Sequence, residues 1–229
     1  MGCAEKGCSV ARVVVVPGLG VRSYALAPVE RLRRGGHRVS LLRAPAWRGA
    51  PTDFEAYGRV LAADLDRRDE VVDLLVGLSV GTQAAAAAAR LSSRVRGLLL
   101  VSPTVDPGLR SLPRLLSAWW GGNAGHGEPG FVQQVPDWAH AGVPRLAAGF
   151  VRTLRAVPLE QVVPDVLAEV AVVHAEFDDL GTEAWARQLA AVAGGRFVRR
   201  DGAPHSWPVG DGDGFLDLVD ELVGGRGRP

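Results

Sequence analysis

Residues 71–91 read VVDLLVGLSVGTQAAAAAARL and contain an apolar run, a glycine-flanked turn and an alanine-rich segment. The apolar run predicts a buried strand over residues 71–76 because it is short and is bounded by a turn. The segment after the turn predicts a helix over residues 80–91 because alanine has the highest helix propensity. Its consecutive alanines, residues 84–89, indicate a helix face that packs closely on a sheet. A strand that leads directly into a helix is a unit from which α/β folds are built.

The turn that joins this strand to this helix has the sequence Gly77-Leu78-Ser79-Val80-Gly81. So sharp a turn brings the backbones of the strand and the helix close together, and the flanking positions therefore need glycine. Ser79 is then forced outward beside the N-terminus of the helix, where the helix dipole favours negative charge. A G-x-S-x-G pattern between a strand and a helix is typical of a serine that is presented for nucleophilic attack.

The alternation of strands and helices continues in both directions from this stretch. Further strands are predicted at residues 13–16, 38–42, 98–101, 170–173 and 196–199. Further helices are predicted at residues 24–34, 54–65, 182–192 and 215–223. Nearly continuous apolar strands that alternate with helices are typical of a parallel, doubly wound sheet covered on both faces. The sequence therefore predicts an α/β fold.

The alternation stops between residues 103 and 164. This segment is rich in proline and glycine and has no clear strand. It is too long for a plain loop, so we predict a helical insertion. The predicted organisation is an α/β core formed by residues 1–102 and 165–229, with residues 103–164 as a lid or cap.

Composition bounds the class of protein. The chain has 229 residues and a formal net charge of +1, whereas a nucleic-acid-binding domain is expected to be clearly basic. No apolar run approaches the roughly 18 residues of a membrane span, and no secretory signal is recognisable. The two cysteines, Cys3 and Cys8, lie before the first predicted strand, which indicates a protein without disulfides. We therefore expect a cytoplasmic protein.

The basic residues are almost all arginine, and Lys6 is the single lysine. Such a preference for arginine is typical of GC-rich bacterial genomes.

Two later loops carry the partners that a nucleophilic serine requires. A serine hydroxyl needs a histidine to accept its proton and an acid to hold that histidine. Asp178 follows the predicted strand 170–173, and His205 follows the predicted strand 196–199. The carboxyl ends of parallel strands meet at one edge of a sheet, so Ser79, Asp178 and His205 are expected there together.

Four segments of this chain resemble the α/β-hydrolase family. They are residues 13–20 (VVVVPGLG), 73–90, 170–178 and 203–207. The resemblance extends from residue 13 to residue 223 apart from the insertion. It implies an α/β-hydrolase fold with a lid inserted after the strand that ends at Val101, which agrees with the predicted insertion.

The resemblance also implies catalytic roles. Ser79 would be the nucleophile, His205 the general base and acid, and Asp178 the acid that orients the histidine. The backbone N–H groups of Leu19 and Val80 would form the oxyanion hole.

Two positions differ from the family pattern. The family has histidine where Pro17 stands and glycine where Ala175 stands.

Two other carboxylates are alternative candidates for the acid that orients His205. They are Asp106, just after the predicted strand 98–101, and Asp179. We rank Asp178 first, Asp106 second and Asp179 third.

The predicted substrate is a small acyl compound, free or bound to a carrier. Trp119 and Trp120 of the insertion and Trp207 beside His205 are candidate walls of its pocket. The histidines and acids show no spacing typical of metal ligands, so neither a metal nor a cofactor is expected.

The leading hypothesis is a serine hydrolase that cleaves an ester or thioester through an acyl-enzyme. One alternative is a lyase or cyclase of bacterial secondary metabolism that has this fold and reuses His205. A weaker alternative is an NADP-dependent oxidoreductase, because residues 18–23 half-match a dinucleotide-binding loop, with Ser23 in place of the third small residue.

Overall fold

The computed structural model describes residues 10–122 and 131–225. Within these two ranges, six parallel strands form one sheet in the order β2-β1-β3-β4-β5-β6. The strands are β1 (Arg12–Val16), β2 (Arg38–Leu41), β3 (Leu74–Leu78), β4 (Gly97–Val101), β5 (Glu169–Phe177) and β6 (Arg196–Pro204). The predicted parallel sheet is confirmed. Cys3, Cys8 and the side chain of Trp120 lie outside the described residues.

Among the described residues, five helices alternate with the strands, and four lie between β4 and β5. The first group is α1 (Leu26–Arg34), α2 (Phe54–Arg68), α3 (Gly81–Leu91), α8 (Glu183–Val192) and α9 (Gly212–Gly224). The second group is α4 (Leu112–Gly122), α5 (Phe131–Ala141), α6 (Val143–Arg155) and α7 (Leu159–Val162). The second group falls in the segment predicted to be a helical insertion, and we call residues 103–164 the insertion below. Within the described residues, no helix is long and apolar enough to cross a bilayer.

The sheet has a hydrophobic layer on each face because successive side chains of a strand point to opposite sides. Val14 and Val16 of β1 pack in one layer with α2, α3, α7 and α8. Val13 and Val15 pack in the other layer with α1 and α9. Both layers contain residues from the central strands, which explains why those strands are apolar throughout.

Helix α3 is buried on all sides rather than on one face. All six alanines, residues 84–89, are at most 3% exposed. The sheet covers one side of α3 and helix α2 covers the other, so closely that a Cβ atom on Gly58 would lie 2.5 Å from the Cβ of Ala87. The small alanine side chains therefore allow α3 to pack closely against both the sheet and α2. The prediction of a single packed face was incomplete.

Strands β3, β5 and β6 differ from their predicted bounds by more than one residue because pairing sets their ends. Strand β3 begins at Leu74, where it pairs with Val13, and it continues through Leu78. Strands β5 and β6 each extend beyond their predicted ends because they pair with each other up to Phe177 and Pro204. As a result, Ser79, Asp178 and His205 each directly follow a strand.

Candidate active site

Ser79 lies in the sharp turn between β3 and α3. Its φ is +53°, in the left-handed region that non-glycine residues rarely adopt. Its N–H donates a hydrogen bond of 2.9 Å to the carbonyl of Val101 at the end of β4, and its own carbonyl accepts from the N–H of Thr82. Backbone strain of this kind concentrates at functional sites.

The two glycines of the turn are required by close backbone contacts. A Cβ atom on Gly77 would lie 2.6 Å from the Cα of Thr82. A Cβ atom on Gly81 would lie 2.4 Å from the carbonyl oxygen of Pro17. The second contact brings the start of α3 against the loop that follows β1, which carries Leu19.

His205 directly follows β6 and lies beside Ser79. Its Nε2 atom is 2.8 Å from the Oγ atom of Ser79. Its backbone carbonyl accepts a hydrogen bond of 2.8 Å from the hydroxyl of Ser102, which directly follows β4. Sequence analysis missed Ser102, and the only local signal was its position at a strand end.

Asp178 lies on the other side of the histidine. Its Oδ1 atom is 2.7 Å from Nδ1 of His205 and accepts a hydrogen bond of 2.9 Å from the N–H of Leu180. The side chain of Asp178 is fully buried, and that of His205 is 15% exposed. A proton on Nδ1 is therefore directed at the carboxylate, and Nε2 is then the acceptor for the proton of Ser79.

Asp106, the second-ranked acid, has a different environment. Its carboxylate accepts hydrogen bonds from the N–H and the hydroxyl of Thr182, at the start of α8, and from the N–H of Gly108. Burial raises the pKa of Asp106, but these hydrogen bonds and the nearby Arg110 outweigh that effect and hold the pKa below its usual value. Asp106 therefore joins the loop after β4 to α8.

Asp179, the third-ranked acid, is exposed and lines the cavity described below. Of the three acids, the structure brings Asp178 alone to His205.

Leu19 and Val80, whose N–H groups are predicted to form an oxyanion hole, line the same cavity as Ser79. Among the described residues, neither the N–H of Leu19 nor that of Val80 has a hydrogen-bond acceptor. Next to Leu19, a Cβ atom on Gly18 would lie 3.6 Å from the Cβ of Ser79, so the loop approaches the serine closely. Both donors are therefore available to a negatively charged oxygen beside Ser79.

The loop that carries Leu19 is held by the insertion. The carboxylate of Asp137 in α5 is buried and accepts hydrogen bonds of 2.9 and 2.8 Å from the N–H groups of Arg22 and Ser23. Arg145 of α6 donates to the carbonyls of Ala46 and Trp47 in a neighbouring loop. Sequence analysis missed Asp137 because these bonds connect residues more than a hundred positions apart.

A cavity of about 280 Å³ opens between the sheet edge and the insertion, and Ser79, His205, Leu19 and Val80 are part of its wall. The insertion contributes mainly apolar side chains from α4, α5 and α6. They include Leu115, Ala118, Trp119, Trp138, Leu146 and Phe150. The ring of Trp119 lies 5.7 Å from each of the rings of Trp138 and Phe150.

Trp207 does not line this cavity, which corrects the prediction that it forms a pocket wall. It is 2% exposed and packs edge-on against Phe215 of α9, with the guanidinium of Arg200 over its ring. A short 3₁₀ helix (Trp207–Val209) turns its side chain into the core, whereas the adjacent Ser206 and Pro208 line the cavity.

The arrangement can support nucleophilic acyl transfer. A hydroxyl, an imidazole and a carboxylate form a continuous hydrogen-bonded chain, and the N–H groups of two residues in the same cavity wall have no acceptor among the described residues. The described part of the chain contains no cluster of three or more residues that could hold a metal ion.

Comparison with known proteins identifies the family. A model of the alpha/beta hydrolase family matches residues 13–218, most of the chain. The protein therefore belongs to the α/β-hydrolase family, as the four segments predicted. No curated protein matches it significantly.

Several solved structures are similar. The enol-lactonase from Burkholderia xenovorans is 19% identical, with a TM-score of 0.72 over 96% of this chain and 94% of the other. An esterase from Rhodococcus is 18% identical, with a TM-score of 0.66 over 94% of this chain and 90% of the other. MenH from S. aureus is 16% identical, with a TM-score of 0.69 over 96% of each chain. At these identities the likeness shows the fold alone.

Proposed function

We propose that this protein is a serine hydrolase that cleaves a carboxylic ester or thioester of a small acyl compound through a covalent acyl-enzyme. The observation that carries the proposal is the chain of two short contacts, 2.8 Å from Ser79 Oγ to His205 Nε2 and 2.7 Å from His205 Nδ1 to Asp178 Oδ1. Such a chain activates a hydroxyl that is otherwise a weak nucleophile.

The first half-reaction forms the acyl-enzyme. The Oγ atom of Ser79 attacks the carbonyl carbon of the substrate while its proton passes to Nε2 of His205. The negative charge that develops on the carbonyl oxygen is stabilised by the N–H groups of Leu19 and Val80. The C–O or C–S bond then breaks, and His205 returns the proton to the leaving alkoxide or thiolate. Asp178 stabilises the imidazolium throughout.

The second half-reaction releases the acid. Water attacks the acyl carbon and transfers a proton to His205, and the bond to Ser79 breaks as the proton returns to the serine oxygen. The apolar walls of the cavity exclude bulk water from this exchange, which strengthens the electrostatic contacts inside it.

The loop at residues 18–23, which half-matches a dinucleotide-binding pattern, lies under the insertion. A Cβ atom on Gly20 would lie 2.2 Å from Leu146 of α6, so this part of the loop is covered. In a dinucleotide-binding protein, the pyrophosphate of the cofactor must approach the backbone of such a loop directly. The packing therefore favours the oxyanion-hole role over nucleotide binding.

The test compares Ser79→Ala with the exposed control Ser93→Ala on p-nitrophenyl esters and on acyl thioesters. Ser79→Ala should lower kcat by about a thousandfold or more, because the loss of the nucleophile leaves only binding and the oxyanion hole. Turnover in ¹⁸O-labelled water should place one label in the released carboxylate. Full activity of Ser79→Ala would contradict the proposal, and a product without the label would favour the lyase or cyclase alternative.

A further inference from the structure

The cavity is apolar and offers no cation to a negatively charged substrate. No arginine or lysine is among its described lining residues, and Asp179 adds a carboxylate to its wall. A substrate with an anionic group inside the cavity would therefore lose solvation without gaining a counter-charge. The substrate groups that enter the cavity should be neutral.

One side chain in this apolar wall has unused hydrogen-bonding capacity. Gln134 of α5 lines the cavity one helical turn before Trp138 and is 4% exposed. Among the described residues, no hydrogen bond to its side-chain amide is present, and its amide nitrogen and oxygen are not fully enclosed by protein. An amide carries two donor hydrogens and an acceptor oxygen, and burying it unpaired is unfavourable.

A second polar residue in the cavity wall is also unpaired, but its hydroxyl is enclosed by protein. Thr104 is fully buried, and its hydroxyl has no partner within the described part of the chain. Thr153, which also lines the cavity, differs because its hydroxyl donates to the carbonyl of Gly149 one turn earlier in α6. Gln134 therefore differs from Thr153, whose hydroxyl is paired, and from Thr104, whose hydroxyl is enclosed by protein.

We propose that the substrate carries, at a distance from its scissile carbonyl, a neutral group that both donates and accepts hydrogen bonds, and that Gln134 binds this group. A secondary amide and a hydroxyl are the two chemistries that fit. This proposal rests on the proposed hydrolase function, and it assigns Gln134 as a residue that determines specificity.

The experiment uses p-nitrophenyl esters in pairs of equal length, because a pair isolates the polar group. The amide arm compares 4-acetamidobutyrate with heptanoate and N-acetyl-β-alaninate with hexanoate. The hydroxyl arm compares 7-hydroxyheptanoate with octanoate. Each kcat/KM is divided by the rate of alkaline hydrolysis of the same ester, which removes intrinsic reactivity. The wild-type protein should prefer the polar member of at least one pair by about tenfold, the effect expected of one buried hydrogen bond.

Gln134→Leu should abolish that preference by lowering kcat/KM of the polar ester more than that of its all-carbon partner, whereas Gln133→Leu, an exposed neighbour on the same helix, should keep the preference. Gln134→Leu should also leave the Tm of the free protein unchanged or raise it, since the amide has no partner to lose. A lower Tm would indicate a structural role and contradict the proposal. Gln134→Met, of similar length, is assayed in the same way if the leucine variant does not fold.

The two proposals fail in distinguishable ways. Turnover that depends on Ser79 but shows no preference in any pair would overturn the role of Gln134 and leave the hydrolase function standing. A preference that persists in Gln134→Leu would do the same. Turnover that does not depend on Ser79 would instead overturn the proposed function.

Discussion

The hydroxyl of Ser102 donates a hydrogen bond of 2.8 Å to the backbone carbonyl of His205. Ser102 directly follows β4, and the N–H of Ser79 donates to Val101 at the end of the same strand. The end of β4 therefore holds both the serine turn and the histidine loop. Ser102 is a positioning residue, because it acts on the site through the backbone of His205.

Ser102→Ala should lower kcat roughly fivefold, the equivalent of one neutral hydrogen bond, and leave KM unchanged. The reason is that His205 remains present but is held less firmly beside Ser79. Steady-state kinetics on one ester gives both constants, with Ser93→Ala as the control. A variant with wild-type kcat would show that other contacts suffice to hold the histidine loop.

The environments of Asp178 and Asp106 predict opposite effects of substitution. Asp178→Asn should lower kcat by about a thousandfold or more, because the histidine loses the carboxylate that fixes its tautomer. Asp106→Ala should retain kcat but lower the free energy of unfolding by about 1–2 kcal/mol, since it removes the acceptor at the start of α8. Kinetics and urea unfolding of both variants separate the roles. The reverse pattern would assign the acid to Asp106.

The close packing around Gly81 predicts that any side chain added at this position destabilises the folded protein. Gly81→Ala should lower the free energy of unfolding by about 1–3 kcal/mol, because its Cβ would overlap the Pro17 carbonyl. Gly121→Ala is the matched control, since no atom of the described residues lies within 4 Å of its Cβ position in α4. That variant should gain about 0.5–1 kcal/mol from better helix propensity. Equal effects of the two substitutions would contradict this packing.

His174 of β5 predicts a pH dependence of stability. Burial lowers the pKa of His174 below its ordinary value of 6.5; Asp178 and Glu183 oppose this shift, and Arg199 and His205 add to it. The unfolded chain therefore binds this proton more readily than the folded protein does. The contribution of His174 to stability is complete above about pH 6.5 and is lost as the pH falls towards the lowered pKa.

Urea unfolding of the wild type and of His174→Asn, at pH 8 and pH 5.5, measures this contribution. The wild type should lose more stability on acidification than the variant does. An identical loss in both proteins would show that His174 titrates in the folded protein as it does in the unfolded chain.

Local patterns in the sequence were sufficient to predict the parts of the site that are built locally. The strand, turn and helix around Ser79 are contiguous, so their consequences can be derived from steric requirements alone. The positions of Asp178 and His205 at the ends of predicted strands brought them to the same edge of the sheet, as in the structure. The parallel sheet follows from the alternation of apolar strands and helices.

Contacts between distant residues could not be predicted in the same way. Asp106 and Asp178 both follow strands, and only the hydrogen bonds to Thr182 and Leu180 distinguish their environments. Trp207 adjoins His205 in sequence, yet a 3₁₀ turn directs its ring into the core. Asp137 has no local motif, because its partners are N–H groups of the loop after β1.

The most direct test of the account is the detection of an acyl group on Ser79 during turnover. The protein is mixed with a p-nitrophenyl ester, quenched in acid within milliseconds and digested with trypsin. Cleavage after Arg68 and Arg90 releases a peptide in which Ser79 is the only serine. We predict that this peptide gains the mass of the acyl group, that fragmentation places it on Ser79, and that the adduct is absent from Ser79→Ala. Undiminished turnover with no adduct on this peptide would contradict the account.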